Sequence, residues 1–538
     1  MKTFYKFCLA AFLAAPFFGC SNNLDEKAYS KVTEAGYRYT TDDFEPFVAS
    51  TYRTFRSFIS TQFYHMAQEN CSDIIVMPAN ASGWDDGGLY KRMHNHTWNS
   101  EQSHVINMWN TFYQGALTCN KVLEDIQSDK IPAPSPTEKS NALAEIRAVR
   151  AFYYWLICDN FGDAPLVTVP TDEYPAKNTR QEIYDFIVAE LQEVIPQLSE
   201  EQSGKMYGRM NKWAAKDLLA NIYLNAEIYV GEPRWNECIR LCDDIIESGK
   251  FRLADHYNAS FRASGTESCN EILFAIPFDQ KLGGENNIWQ ISWHGELKRK
   301  FETEAMPFGC GSSMGITQFI DTYHPNDTRL QDTWLMGPQF AADGTPILCT
   351  YDRKGEQLNY TKEIPDGNYT SETEGYRMFK FEVEKGANNN STTDFAFFRY
   401  AEVLLMKAEC LARTRQPGAG ALVTEIRKRN FKAHPADAIV TDVQLTENSI
   451  YPYGYVENYK IVDPGNTEPI LYGRLLDELG WEFAWEAHRR RDLIRFGVFT
   501  TKSWLSHRPN GDYRTVFPLP ESVLTSNPNL KQNPDYLQ

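Results

Sequence analysis

Between residues 145 and 167, apolar side chains recur at Ile146, Val149, Phe152, Tyr153, Leu156 and Ile157. This i, i+3, i+4, i+7 spacing lays a wide stripe along one helix face. Arg147 and Arg150 fall off the stripe, where their stems cover apolar surface while the guanidiniums reach water or a carboxylate. Asn160-Phe161-Gly162-Asp163 predicts the stop: Gly162 offers a left-handed C-cap, and Pro165 keeps the following chain extended. Similar texture predicts helices over 42–60, 104–127, 141–160, 180–198, 211–229, 235–248 and 474–497. SDKIPAPSPTEKS, at 128–140, reads as a loop.

Two of these segments pair. The stretch 213–251 resembles a tetratricopeptide repeat, with Ala214, Leu218, Leu219 and Tyr223 forming a small-large face. Residues 398–430 look like a second pair. Faces that are buried only by stacking occur in groups, so the earlier helices are expected to supply the other pairs. The period of 34 is not sustained, which predicts an irregular solenoid. Against this, 70–99 and 251–397 show no lasting period, are rich in Gly, Asn, Trp and Tyr, and carry brief strand-like pieces such as 271–277. Irregular stretches this long inside a folded chain are usually functional.

The first residues change the picture. Lys2 and Lys6 precede an apolar run from Phe7 to Phe18 that is too short to span a bilayer, and Gly19-Cys20 follows. The arrangement resembles a bacterial lipoprotein signal, which implies a leader 1–19, lipidation at Cys20 and a tether 20–41. The remaining chain divides into a helical region 42–250 and a loop-rich region 251–538. A net charge of −17 argues against nucleic acid and against charge-driven binding to anionic membranes. The 11 cysteines are scattered without a CxxC, and Cys238 and Cys242 lie four apart on a helix, so neither zinc nor a disulfide framework is indicated. Aromatic content is high at 14%, with 12 Trp and 29 Tyr, side chains that suit amphipathic ligands.

Several segments together resemble the SusD/RagB family of surface glycan-binding lipoproteins. They are Gly19-Cys20, RAVRAFYYWLICDNFGDAPLV (147–167), the helix pair at 214–251 and FRYAEVLLMKAECLAR (398–413). WEFAWEAHRRRDLIRFG (481–497) and FPLPESVLTSNPNLKQNPDY (517–536) complete the ordered set. The resemblance implies a mainly α protein in which about four tetratricopeptide-like helix pairs form a scaffold. A face of loops and short strands would bind oligosaccharide without turnover or cofactor. It also implies a lipid anchor at Cys20 on the outward face of an outer membrane, and a TonB-dependent SusC-like transporter as partner.

In that family the glycan face comes from the loops after the first helix and from mid-chain loops, here 70–99 and about 279–334. A sugar ring needs an aromatic platform for its C–H face and polar partners for its hydroxyls. The first loop offers Trp84 and Trp98 with Asp73, Asn80, Asp85 and Asp86. The second offers Trp289, Trp293, Tyr323 and Trp334 with Asn286, Asn287 and Gln290. Trp289 and Trp293 would share one face of a short helix. The opposing reading is that each aromatic packs its own loop onto the scaffold, and Trp98, directly before a helix, is the most open to it.

Two other functions compete with this one. A surface glycoside hydrolase would need a carboxylate pair, and Glu482 and Glu486 lie four apart. Arg489, Arg490 and Arg491 beside them point instead to an ion-paired helix contact, with both acids held ionised. His94 and His96 lack a third ligand, and residues 321–327 are oxygen-rich enough for a weak calcium site but lack EF-hand spacing, so no metal ligands are assigned and calcium binding is left open. GxSxG, Walker A and dinucleotide motifs are absent. A purely protein-binding helix-pair scaffold is the second alternative, opposed by the Trp- and Asn-rich loops.

Overall fold

The structure, a computed structural model, describes residues 37–279, 286–389 and 391–536. The expected leader 1–19, the lipidation site Cys20 and the tether up to residue 36 lie outside the described residues. The chain builds a mainly α scaffold in which successive helices pack on one another: α1 (Ser103–Gln127), α2 (Pro136–Phe161), α3 (Arg180–Val194), α4 (Lys212–Leu224), α5 (Trp235–Glu247), α6 (Tyr400–Arg413) and α7 (Ala419–Lys428). Two further helices, α8 (Gly473–Phe483) and α9 (Arg489–Arg495), follow near the C-terminus.

Local chemistry explains where helices begin and end. α2 starts at Pro136 rather than at 141: Ser135 caps it by accepting the Glu138 N–H at 3.2 Å, and Pro136 takes the first helical position, where a missing N–H costs nothing. It stops at Gly162, whose φ of +67° suits a residue without a Cβ. α2 is buried on nearly all sides from Ala144 onward, so the stripe read from the sequence understates its coverage. Arg147 bonds Glu190 and Glu193, and Arg150 reaches Asn120, Thr168 O and Glu190. α1 approaches so closely that a Cβ at Gly115 would stand 2.1 Å from the Tyr153 ring.

The segment 42–60, expected as one helix, divides into an α-helix Phe44–Ser50 and a 3-10 helix Arg53–Ile59. Ser50 Oγ and Thr51 Oγ1 donate to Phe47 O and Val48 O at 2.6 and 2.7 Å, competing with the backbone where the helix tightens. A short helix Tyr64–Asn70 follows.

The irregular stretches form the second layer from short strands: β1 (Ile75–Val76), β2 (Ala79–Asn80), β3 (Ile272–Ile276), β4 (Met314–Gly315), β5 (Trp334–Leu335), β6 (Tyr369–Thr370), β7 (Arg377–Met378) and β8 (Phe395–Arg399). One sheet runs β1-β4-β7-β5, with Ile75 opposite Gly315, Met314 opposite Arg377 and Leu335 opposite Arg377. β2 pairs parallel with β6, and β3 pairs antiparallel with β8. β8 runs directly into α6, so the strand layer is continuous with the scaffold.

A buried ion network joins the two layers. Arg399 donates to Glu271, Glu482 and Glu486 at 2.6–3.0 Å, and Arg429 bonds Glu271 and Glu482. Arg329 bonds Asp327, Glu478 and Glu482, Arg427 bonds Glu478, and Lys380 bonds Glu486. Burial alone would raise the Glu482 acid, but Arg429, Arg399 and Arg329 hold it well below the usual carboxylate range.

The network also breaks the helix expected over 474–497. Tyr257, Lys380 and Arg399 donate to the Glu482 carbonyl at 2.8–3.0 Å, and Lys380 to Ala484 O at 2.9 Å. Trp485 and Ala487 turn to φ of +70° and +63°, and Ala487 N–H is taken by Glu69 at 2.7 Å. The cations that hold Glu482 and Glu486 therefore come from distant segments. Arg489 instead bonds Asp73, Arg490 bonds Asp159, and Arg491 bonds the Tyr64 hydroxyl.

Two expectations follow. Glu482→Gln keeps the side-chain shape but leaves three arginines sharing too little negative charge, so urea unfolding should show a loss of ~3–5 kcal/mol. Asp217, on α4, is buried with neither carboxylate oxygen hydrogen-bonded. Burial and the Glu402 carboxylate push its acid well above the usual range. The folded state thus holds the proton more tightly than the unfolded one, and stability falls as pH rises past the unfolded value of about 3.9. Asp217→Asn should raise the melting temperature at pH 8 and change it little at pH 4.

Candidate functional site

The loop 70–99 holds more structure than its texture suggests. β1 and β2 occupy its first half, and Asp86 caps the helix Leu89–His94 by accepting the N–H groups of Gly88, Leu89 and Tyr90 at 2.7–3.1 Å. Beside it lies a second loop, 307–312, with φ of +59° at Gly309 and +70° at Gly311. At Gly311 a Cβ would stand 2.2 Å from Ser292 O, so only glycine admits this path. Asn80 ties the loops together: its amide donates to Gly311 O at 3.3 Å and to Ser312 Oγ, while its carbonyl accepts from Ser82 N and Oγ.

Above this junction opens a cleft of about 320 Å³. Trp84 forms one wall, half-buried against Tyr90 at 6.0 Å between ring centroids. The indole rests on a small apolar cluster of Met66, Met77, Leu89, Tyr90 and Ile291. Phe308 lines the cleft from the second loop and is 54% exposed. Gln62 and Asp86 contribute polar edges, with Thr61 and Ser82 adding hydroxyls. Such a site stacks the apolar face of a ring-shaped ligand and hydrogen-bonds its polar rim.

The structure separates the candidates read from the sequence. Trp84, Asp85 and Asp86 stand at or beside the cleft; Asp85 is exposed and accepts the Gly87 N–H at 3.0 Å. Asn80 is 2% exposed and supports the cleft from below. The others face inward. Asp73 is an ion-pair partner of Arg489 and accepts from Tyr453 OH. Trp98 is buried, donating to Tyr536 OH at 2.8 Å, and Asn286 donates to Thr393 O. Trp289 and Trp293 do share a face, 5.5 Å apart on and just after the helix Ile288–Ser292, but that face is the core. Each is 1% exposed, and Trp293 donates to Met378 O at 2.6 Å. Tyr323 is buried and accepts from Trp334 Nε1 at 3.3 Å.

The sequence reading missed Thr61, Gln62 and Phe308. Phe308 carried a usable signal: in Pro307-Phe308-Gly309-Cys310-Gly311 an aromatic stands among residues that build no apolar period. Gln62 carried none, since a lone amide after a helix is uninformative.

Candidate chemistry elsewhere is accounted for. Glu482 and Glu486 are sealed in the ion network. His94 and His96 are buried rather than in solvent, burial pushes both down to about 3, and His96 Nε2 contacts Cys71 O at 2.8 Å. Among the described residues no group of three or more His, Cys, Asp or Glu is placed to hold a metal ion, and no helix is long and apolar enough to cross a membrane.

Comparison with known proteins adds an independent line. A model of the SusD family matches residues 270–536, and a second, described as starch-binding associating with outer membrane, matches residues 23–224. The starch-binding protein SusD of Bacteroides thetaiotaomicron is 26% identical over 449 residues, covering 76% of this chain and 75% of that protein. NanU of B. fragilis has the same fold, with a TM-score of 0.72 at 18% identity over 95% of this chain and 100% of that one. The surface glycan-binding protein A of Bacteroides fluxus aligns with a TM-score of 0.69 at 19% identity, over 93% and 100% of the two chains.

The burial pattern makes a direct expectation. Trp289→Ala should cost ~3–5 kcal/mol in denaturant unfolding, as for an aromatic truncated in a core. A cost near zero would return Trp289 to the candidate ligand surface.

Proposed function

We propose, from the premise that this chain belongs to the SusD/RagB family, that the cleft between Trp84 and Phe308 captures oligosaccharide. The observation that carries this reading is an exposed aromatic, Phe308, facing a half-buried indole across a cleft edged by Gln62 and Asp86. Buried core aromatics need no such polar rim. A relative named for starch binding and a structural neighbour named for surface-glycan binding support the ligand class.

The finer assignments are proposals of the same kind. Trp84 and Phe308 act as platforms, Gln62, Asp85 and Asp86 as polar partners, and Asn80 as the support that sets loop spacing. Cys20 carries the lipid anchor, and the protein faces outward from the outer membrane. The captured glycan passes unaltered to a TonB-dependent transporter. Family membership supports this, as does the matched description of association with the outer membrane. By the same proposal the chain divides at about residue 250 into the helical region 42–250 and the loop-rich region 251–538. A second reading, protein binding by the scaffold, is favoured by one feature: a groove of about 680 Å³ on α3, α4 and α5, where Val188, Leu219 and Leu241 stand among the charged Asp185, Lys216 and Glu237.

The test is an array of printed polysaccharides probed with the chain from residue 21 onward. Retention of one polysaccharide class, recovered intact, is the expected result; shortened products would mean hydrolysis. Trp84→Ala and Phe308→Ala should each weaken the retained glycan about fivefold, the equivalent of ~1 kcal/mol per platform. Phe308→Ala should leave the melting temperature unchanged because its ring is half in solvent.

A further inference from the structure

A second pocket, of about 200 Å³, is lined by Trp293, the residue that follows the helix Ile288–Ser292. Ile291 lines the first and Trp293 the second. Its wall is a graded aromatic stack: Trp293 is buried, Phe301 stacks on it at 4.0 Å and 17°, and Phe379 stands 6.2 Å further out. Phe379 is 37% exposed, held at the rim by its N–H bonding Thr333 O at 2.9 Å. The floor is Lys380, whose ammonium is consumed by Glu486 and the carbonyls of Glu482 and Ala484.

The polar groups of this pocket are not equally occupied. Glu382 accepts from Arg262 at 3.5 Å and from Ala263 N at 3.0 Å, and Asn258 accepts from Arg262 at 3.4 Å. Asp332, half-buried, accepts no hydrogen bond on its carboxylate and forms no ion pair within 4.0 Å among the described residues; burial raises its acid, while His256 and Arg262 lie near enough to favour its charge. A carboxylate at a pocket wall whose oxygens take no hydrogen bond from the protein keeps its acceptor capacity for a hydroxyl-bearing ligand. An aromatic rim beside that acceptor repeats the chemistry of the main cleft.

The two pockets are also linked by the chain. Phe301 lines one and Phe308 the other, with Met306 between them 56% exposed. Seven residues of fully extended chain reach roughly 25 Å at most, so the pockets lie within the span of one oligosaccharide.

We propose that this pocket is a second subsite taking one sugar ring of the glycan held by the main cleft, with Phe379 and Phe301 as platform and Asp332 as hydroxyl acceptor. The inference rests on the oligosaccharide reading of the main cleft. It makes affinity depend on ligand length, since only a chain long enough to bridge both pockets uses both.

The probes are size-fractionated tri- and heptasaccharides cut from whichever printed polysaccharide the wild-type chain retains, titrated by calorimetry. Phe379→Ala and Asp332→Asn should each weaken the heptasaccharide about fivefold, leave the trisaccharide unchanged and leave the melting temperature within a degree or so. Trp84→Ala should weaken both lengths. Unchanged heptasaccharide binding in both pocket variants, or equal weakening at both lengths, would overturn the second subsite while leaving capture by the main cleft intact. Retention of no polysaccharide by the wild-type chain would overturn the capture reading and this one with it. If Phe379→Ala lowers the melting temperature, the isosteric Asp332→Asn decides.

Discussion

The buried network around Arg399 and Glu482 is the constraint on which the architecture turns. Five cations (Arg329, Lys380, Arg399, Arg427, Arg429) face five carboxylates (Glu271, Asp327, Glu478, Glu482, Glu486), all nearly sealed from solvent. Taking these charges out of water is expensive, and their mutual attraction offsets that only when every partner is in place. The members come from the residue before β3, the chain between β4 and β5, the second residue after β7, the end of β8, the end of α7, and α8 with its break. No segment can be docked in another register without stranding a charge. The network specifies an arrangement more than it adds stability.

This explains how a loop layer rich in glycine and asparagine is ordered. Arg329 and Lys380 plant the mid-chain loops on the scaffold, and Asn80 joins 79–84 to 307–312 above them. Core aromatics complete the support. Trp289 and Trp293 pack together in the core, 5.5 Å apart, which fixes the helix Ile288–Ser292 so that Ile291 lines one pocket while Trp293 and Phe301 line the other. The aromatic richness of the chain therefore divides into two tasks. Many rings fill the joint between layers, and among those left partly in solvent Trp84, Phe308 and Phe379 stand at the pocket rims.

The same burial governs charge chemistry across the molecule. Carboxylates that look paired for catalysis in the sequence are paired for structure, with arginines holding Glu482 ionised. The histidines His94, His96 and His507 are buried together, and that burial keeps them neutral, with the ring centroids of His96 and His507 4.0 Å apart. Asp217 is pushed the opposite way and holds its proton.

The scaffold was legible because helix periodicity is local: side chains at 146, 149, 152, 153 and 156 must share a face whatever surrounds them. The stop at Gly162 and the pairing within 213–251 and 398–430 followed for the same reason, and the mainly α class with them. What the sequence could not decide was the direction in which a loop aromatic points. Trp84 and Trp289 both sit in irregular, polar-rich stretches, yet one edges a cleft and the other fills the core. The difference arises from β1, β2 and the Asn80 link, contacts between residues more than 200 positions apart. The break after Phe483 was equally invisible, because the groups that capture the Glu482 carbonyl lie at 257, 380 and 399. Periodicity reports the surface that a segment must bury; only tertiary structure decides which polar groups meet it and which rings are left for a ligand.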